Sequence, residues 1–354
     1  MSAPPILRLA GRRWEEIPEA PWRWLLVPAW AVYGAAVAVR ALAYDARCLP
    51  IHRLPAPVIS VGNVLAGGTG KTPVALAVAR LLAAQGRRPC ILARGYRGHE
   101  GRNDEAALAG ELPVLCDPDR VRAGRRALAQ GADCLVLDDG LQHRRLHRDL
   151  DIVVIDATRP WGDPRGGPGW LLPLGYRRDL RCAIARCQVA WITRGHLHPA
   201  RAEALASALA QRGLVVVRQP PPRYRLRTLH GEEAAPPAGP VLAVSGIGHP
   251  AAFEADVQRA GLRVRACLRF PDHHRYTARD AERIARGAGA HPVIVTAKDA
   301  VKLAAWWQES WPPCLVLASD AELAPADRAR LLAVLDRALA SAAASTTLAL
   351  RSRS

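Results

Sequence analysis

Beyond residue 50 the chain alternates short apolar runs with longer segments of helical period. The runs "VISV" (58–61), "CILA" (90–93), "CLVL" (134–137), "DIVVID" (151–156) and "VAWIT" (189–193) are apolar at successive positions rather than at every second one. That is the pattern of strands covered on both faces, as in a parallel sheet. The intervening "TPVALAVARLLAAQG" (72–86) has helical spacing and stops on Gly86. Strand and helix in alternation predict an α/β fold with a doubly wound parallel sheet over 49–217. A proline-rich polar stretch, "RQPPPRYRLRTLHGEEAAPPAGP" (218–240), reads as an interdomain connection. The rhythm then resumes with "VLAVSG", "VRACLRF", "PVIVTAKD" and "CLVLASD", so a second, smaller α/β domain is expected over 241–340. The tail 341–354 is expected to fray.

Ahead of these lies a different pattern. Residues 24–39, "WLLVPAWAVYGAAVAV", carry no charge and follow Arg12, Arg13 and Arg23. As a helix they span roughly 24 Å, short of the roughly 30 Å of a bilayer's hydrocarbon. A cleaved signal peptide is opposed by Glu15, Glu16 and Glu19, which spoil its basic start. A buried core helix is the plain alternative. The preferred expectation is a membrane-associated segment over 1–48, lying in the cytoplasmic leaflet with Trp22, Trp24, Trp30 and Tyr33 at the interface.

Composition sharpens this picture at two points. The net charge of +17 suits an anionic substrate, an anionic membrane surface or nucleic acid. No basic run interleaved with aromatics, zinc-finger spacing or RNP-type motif points to nucleic acid. Of 49 basic residues only Lys71, Lys298 and Lys302 are lysines, so a lysine inside a glycine-rich loop is informative. The eight cysteines are scattered without metal-ligand spacing, several in apolar runs, which argues for a reducing compartment.

That lysine belongs to "GNVLAGGTGKTP" (62–73), between a predicted strand and a predicted helix, the context a phosphate loop requires. Gly67, Gly68 and Gly70 let backbone N–H groups wrap around phosphate, with Leu65, Ala66 and Thr69 completing the cradle. The helix N-terminus adds its positive end. Lys71 would reach the β- and γ-phosphates of ATP, and the Thr72 hydroxyl would ligate Mg2+. Leu65 stands where the usual pattern has its first glycine. GTP is disfavoured, because neither Asn63 nor Asn103 is followed by lysine in a base-reading motif. A partitioning-type ATPase would carry a lysine where Ala66 stands.

Carboxylates supply the remaining chemistry. "CLVLDDGLQHRR" (134–145) ends a strand on Asp138 and Asp139, either of which could hold magnesium, while Gln142 could meet phosphate or water. A strand-ending turn has the same form, and "IVVID" offers Asp156 as a rival. The loop "RGYRGHEGRNDEAALAG" (94–110) leads to Asp104 and Glu105, placed either for proton acceptance or for a helix cap. In "FPDHHRYT" (270–277) the chemistry alone favours a solvated turn.

Taken in order, "SVGNVLAGGTGKTP", "ILARGYRG", "NDEAAL", "LDDGLQHRRLHRDLDIVVID", "LLPLGYRRD", "VSGIGHPAAF", "FPDHHRYT" and "TAKDAVKL" resemble the tetraacyldisaccharide 4'-kinase family, the lipid A kinases of Gram-negative bacteria. The resemblance implies transfer of the ATP γ-phosphate to the 4'-hydroxyl of a lipid A disaccharide 1-phosphate at the cytoplasmic face of the inner membrane, without nucleic acid or an obligate protein partner. It implies a phosphate loop with no glycine at the Leu65 position. It further implies Asp104 as general base paired with His273, Lys71 on the phosphates, and Thr72, Glu105, Asp138 and Asp139 around magnesium. Gln142 joins the nucleotide side, and Asn63, Arg94, Tyr96, Arg178 and Asp179 the substrate side. Two positions depart from the family pattern: Asp179 replaces a glutamate, and Ala297 stands where glutamate is common. A membrane-associated P-loop ATPase acting as a switch is the competing class.

Overall fold

The computed structural model describes residues 6–8, 21–67, 69–95, 112–163, 169–248, 250–272, 274–320 and 322–351. The chain divides into two compact units, one of Ile17–Pro221 with Glu322–Ser354, the other of Met1–Glu16 with Pro222–Ala321. Strand β1 (Ile6–Arg8) belongs to the second of these.

In the first unit, a short 3-10 segment (Pro21–Leu26) runs into helix α1 (Val27–Asp45). Seven strands follow: β2 (Val58–Gly62), β3 (Pro89–Ala93), β4 (Val114–Cys116), β5 (Cys134–Asp138), β6 (Leu150–Asp156), β7 (Val189–Thr193) and β8 (Val215–Arg218). They lie in the order β4-β3-β5-β2-β6-β7-β8 and every pairing is parallel. Every residue of β2, β3, β5, β6 and β7 is buried, which is why these runs are apolar at successive positions, with Asp138, Asp156 and Thr193 at strand ends. Helices α2 (Lys71–Ala84), α3 (Arg120–Ala129) and α4 (Pro199–Ala210) cover the sheet. Val74, Val78 and Leu82 of α2 pack into one core with Ile59, Val136 and Ile152, while Leu209 packs with Ile155 and Ile192 in another. Cysteines behave as packing residues here: burial pushes the Cys90 thiol up to about 11 and that of Cys134 to about 12.

The second unit contains β9 (Arg223–Thr228), β10 (Glu233–Ala234), β11 (Val241–Ser245), α5 (Pro250–Arg259), β12 (Val264–Arg269), α6 (Ala278–Ala288), β13 (Val293–Val295), α7 (Ala297–Leu303) and β14 (Cys314–Asp320). Its sheet has the order β1-β12-β11-β13-β14-β9-β10, parallel except where β9 and β10 join.

Three segments differ from the sequence expectation. Within the expected membrane-associated segment 1–48, residues 6–8 form β1, which pairs with β12 in the second sheet, because an extended apolar stretch there completes the sheet edge. The proline-rich 218–240 stretch contributes β9 and β10 to the second sheet rather than serving only as a connection. "RYRLRT" in fact alternates: Leu226 is buried and Tyr224 packs beside it, while Arg223, Arg225 and Arg227 face out. Three prolines at 220–222 and the surrounding arginines mask that period of two. The C-terminal part of 241–340 also departs, because helix α8 (Pro325–Arg351) belongs to the first unit, where Leu331, Val334, Leu335 and Leu339 join the core of α2. Instead of fraying at 341, this helix continues to Arg351.

Candidate active site

β2 is the pivot of the first sheet. Chain connections leave it towards β3 on one side and reach β6 on the other, so a crevice opens outside the carboxyl ends of the strands at this switch point. The glycine-rich loop occupies that place. Gly70, with φ 86°, is the left-handed residue from which α2 starts, and Gly67 has φ 98°. Leu65 needs no such freedom. Its side chain is buried at 3% exposure, its backbone bridges antiparallel to Arg177, and the N–H of Ala66 donates to the Tyr176 carbonyl at 2.7 Å. Pairing with the 171–178 segment therefore holds the start of the loop where another phosphate loop uses a glycine turn.

Lys71 Nζ lies 3.4 Å from the Gly67 carbonyl and 3.7 Å from Asp139 Oδ1. Thr72 Oγ1 donates to Asp138 Oδ2 at 2.7 Å, across from the first turn of α2 to the end of the neighbouring β5. Thr69 is buried, its hydroxyl accepting from Asn63 Nδ2 at 2.6 Å and its carbonyl from Thr193 at 3.2 Å. Gly62 permits the close approach behind the loop, since a Cβ there would stand 2.6 Å from that of Leu141.

Asp139 is separated from its neighbour in role. With φ 62° it sits in the left-handed region, unusual for a residue with a Cβ. Its carboxylate accepts from both terminal nitrogens of Arg178, Nη1 at 2.7 Å, while Lys71 approaches from the other side. Burial alone would raise its pKa; the charges of Lys71 and Arg178 more than reverse that and hold it well below the usual carboxylate range. Arg178 Nη2 also donates to Asn63 Oδ1 at 2.7 Å. Gln142 Nε2 donates to the Asn63 carbonyl at 2.8 Å and to Asp179 Oδ2 at 3.2 Å, and Asp179 Oδ1 accepts from the N–H of Leu180. Those acceptors fix the amide orientation and leave Gln142 Oε1, shielded from solvent, with no partner among the described residues.

The structure thus gathers Asn63, Leu65, Ala66, Gly67, Thr69, Gly70, Lys71, Thr72, Asp138, Asp139, Gln142, Arg178 and Asp179 at one end of the sheet. Arg94 is exposed just after β3. Gly68, Tyr96, Asp104, Glu105 and His273 lie outside the described residues. The rival Asp156 is used otherwise: it is fully buried, accepts from Thr158 at 2.7 Å and pairs with Arg194. Arg120 was missed. It is 3% exposed under the site, donating to the carbonyls of Asp117 at 2.5 Å and Asp138 at 3.4 Å. In a chain so rich in arginine no local signal distinguishes it.

Thr72 and Asp138 offer two hard oxygen donors in contact, a set that fits magnesium completed by water and phosphate oxygens. Asp139, engaged by two cations, is not poised in the same way. Among the described residues no group of three His, Cys, Asp or Glu side chains gathers as a closed metal site.

In the second unit three sequence motifs meet on one carboxylate. Asp299 accepts from the N–H of Gly246 at 3.1 Å, Tyr276 Oη at 3.1 Å and Thr296 Oγ1 at 2.7 Å. It is fully buried, which raises its pKa. Phe270, His274 and Tyr276 are accordingly packed rather than solvated, their rings in mutual contact and Tyr276 5% exposed, while Arg275 and Thr277 remain exposed.

Residues 22–340 match the family described as LpxK, tetraacyldisaccharide-1-P 4'-kinase. A tetraacyldisaccharide 4'-kinase of Anaeromyxobacter sp. (strain K) is 40% identical, over 90% of this chain and 91% of that protein. The one from Geobacter sulfurreducens is 37% identical, over 89% and 93%. The crystal structure of an "apo" form of LpxK from Aquifex aeolicus in complex with ATP superposes with a TM-score of 0.67 at 25% identity, covering 90% of this chain and 99% of that one.

Proposed function

The chain belongs to the tetraacyldisaccharide-1-P 4'-kinase family, and from that premise we propose which of its residues carry the transfer. The activity is ATP-dependent transfer of the γ-phosphoryl group to the 4'-hydroxyl of a tetraacyldisaccharide 1-phosphate, a lipid A precursor, giving lipid IVA. The hydroxyl oxygen bonds to the γ-phosphorus as the bond to the β–γ bridging oxygen breaks, ADP leaves, and the hydroxyl proton passes to a carboxylate. Lys71 turns from Asp139 to the β- and γ-phosphates, and the loop amides of residues 66–72 hold the rest of the phosphate chain. Thr72 and Asp138 would hold the magnesium ion, which when bound neutralises charge developing on the phosphate oxygens. Arg178 keeps Asp139 ionised and aligned beside Lys71, and Gln142 Oε1 accepts from water on the nucleotide side. The motif resemblance assigns the proton to Asp104 assisted by His273, Glu105 to the metal side, and Asn63, Arg94, Tyr96, Arg178 and Asp179 to the acceptor side.

The observation that carries this reading is the Thr72–Asp138 hydrogen bond beside Lys71, at the mouth of adjacent parallel strands. Lys71→Ala tests it. Acceptor-dependent transfer of labelled γ-phosphate should fall about 100-fold or more with the fold intact. Turnover near that of the parent would remove the loop from the mechanism. ATP hydrolysis without labelled lipid would instead indicate a switch.

The site of action is proposed to be the cytoplasmic face of a membrane, with α1 in the plane of the interface. Trp22–Asp45 is long and apolar enough to cross a bilayer by length and composition. Two features support an in-plane helix over a crossing one. Contacts to the core run along its length, from Trp30 against Trp170 to Asp45 against Arg144. On another face Val32 and Val39, seven residues apart, are 71% and 65% exposed, and Leu25 of the preceding 3-10 turn, 79% exposed, extends them into one apolar stripe.

A further inference from the structure

The contacts between α1 and the core fall on the segments that carry site residues. Tyr33 Oη donates to the carbonyl of Arg178 at 2.9 Å, and Arg40 Nη2 donates to the carbonyl of Gln142 at 2.7 Å. Arg144, two residues past Gln142, reaches back to the carbonyl of Ala41 at 3.0 Å and to Asp45 Oδ1 at 2.6 Å. The guanidinium groups of Arg40 and Arg144 both lie over the ring of Tyr44, at 5.6 and 5.0 Å. Trp30 packs edge-on against Trp170, 5.6 Å between ring centres, and Gly34 lies close to Leu171. Tyr33 and Arg40 are seven residues apart and so share a face, about 100° round the helix from the apolar stripe of Leu25, Val32 and Val39.

From two of these contacts, those of Tyr33 and Arg40, a short chain of bonds leads to the phosphate loop. Residue 178 is held by Tyr33 through its carbonyl and by Val64 through its N–H at 2.9 Å; its guanidinium grips Asp139, and Asp139 faces Lys71. Residue 142 is held by Arg40 through its carbonyl, and its amide bonds to Asn63, whose side chain fixes Thr69. We infer that Tyr33 and Arg40 are positioning residues for phosphoryl transfer: α1, besides bearing the lipid-facing stripe, sets the Arg178–Asp139–Lys71 chain and Gln142. The inference rests on the assignment of Arg178 and Gln142 to the site. An anchor built in this way lets the surface that meets the lipid substrate also set the loop that delivers the phosphate. A tether through flexible chain could not do this, because it would impose no geometry on either carbonyl.

The test is a pair of double-mutant cycles on the full-length protein with acceptor dispersed in detergent, so that membrane binding does not enter the rate. Tyr33→Phe removes one hydrogen bond and keeps the ring, and should lower kcat roughly three- to tenfold. The KM for ATP and the thermal midpoint should stay within error of the parent. In an Arg178→Lys background, which loses the forked grip on Asp139, the same substitution should cost less than twofold, because the chain is already broken. Arg40→Met should behave likewise against Gln142→Leu, so the inference does not depend on one variant folding well. Equal losses in both backgrounds, or no loss of kcat from Tyr33→Phe and Arg40→Met, would overturn it and leave α1 as an anchor alone. Full turnover in both Arg178→Lys and Gln142→Leu would overturn the underlying site assignment instead, and the inference with it.

Discussion

His143 follows Gln142 directly and contributes no charge to the site at neutral pH. Burial, reinforced by the charge of Arg120, lowers its pKa from 6.5 to about 4, and its Nε2 has no partner among the described residues. The consequence for stability has a definite sign. Between the two values the unfolded chain binds a proton that the folded chain refuses, so stability is full above pH 6.5 and declines as the pH falls towards 4. Denaturant midpoints for the parent should drop across that window, and His143→Phe should flatten the decline. A parallel decline in the variant would assign the acid sensitivity to other groups. Asp139 and Leu65 show how far single residues can be read from sequence. Both acidic residues of "LDDG" are equivalent in the string, yet one meets Thr72 and the other Arg178, 39 positions away. Leu65 is a departure from pattern in one dimension and a buried, paired residue in three.

At the scale of elements, α1 carries the clearest division of faces. Half-covered positions recur at 30, 33, 34, 37, 38, 41 and 43, with Tyr44 buried, close to the period of a helix laid on a surface, while Val32 and Val39, and Leu25 of the preceding 3-10 turn, are turned away. If this stripe meets lipid, replacing all three by serine should weaken binding to anionic vesicles on the order of 100-fold or more, read by co-sedimentation. Undiminished binding would place the lipid-facing surface elsewhere. The apolar run was plain in the sequence, but its length was underestimated. Arg40 interrupts the hydrophobic pattern without interrupting the helix, because its side chain leaves for Gln142 and Tyr44.

For the whole molecule, the chain ends do not stay with the halves they adjoin. Helix α8 follows the second sheet in sequence but packs Leu331, Leu335 and Leu339 into the core beneath the phosphate loop. Leu335 is fully buried, so Leu335→Ala should cost about 2–5 kcal/mol. A unit of this size should then melt roughly 5–15 °C lower, with nucleotide protection lost at the same transition. An unchanged midpoint would detach α8 from the first core. The sequence by itself determined what rests on local chemistry: buried strands from unbroken apolar runs, the phosphate loop from glycines before Lys71 and Thr72, an apolar helix ahead of both, and through its ordered motifs the kinase family. Tertiary structure alone decided the destination of α8, the strand hidden in "RYRLRT", the partner of Asp139 and the grip of α1 on residues 142 and 178. Each of these depends on which distant group completes a core, a ladder or an ion pair. A periodic helix records that it has a buried face without recording what covers it, and one arginine among so many carries no mark of the carboxylate it meets.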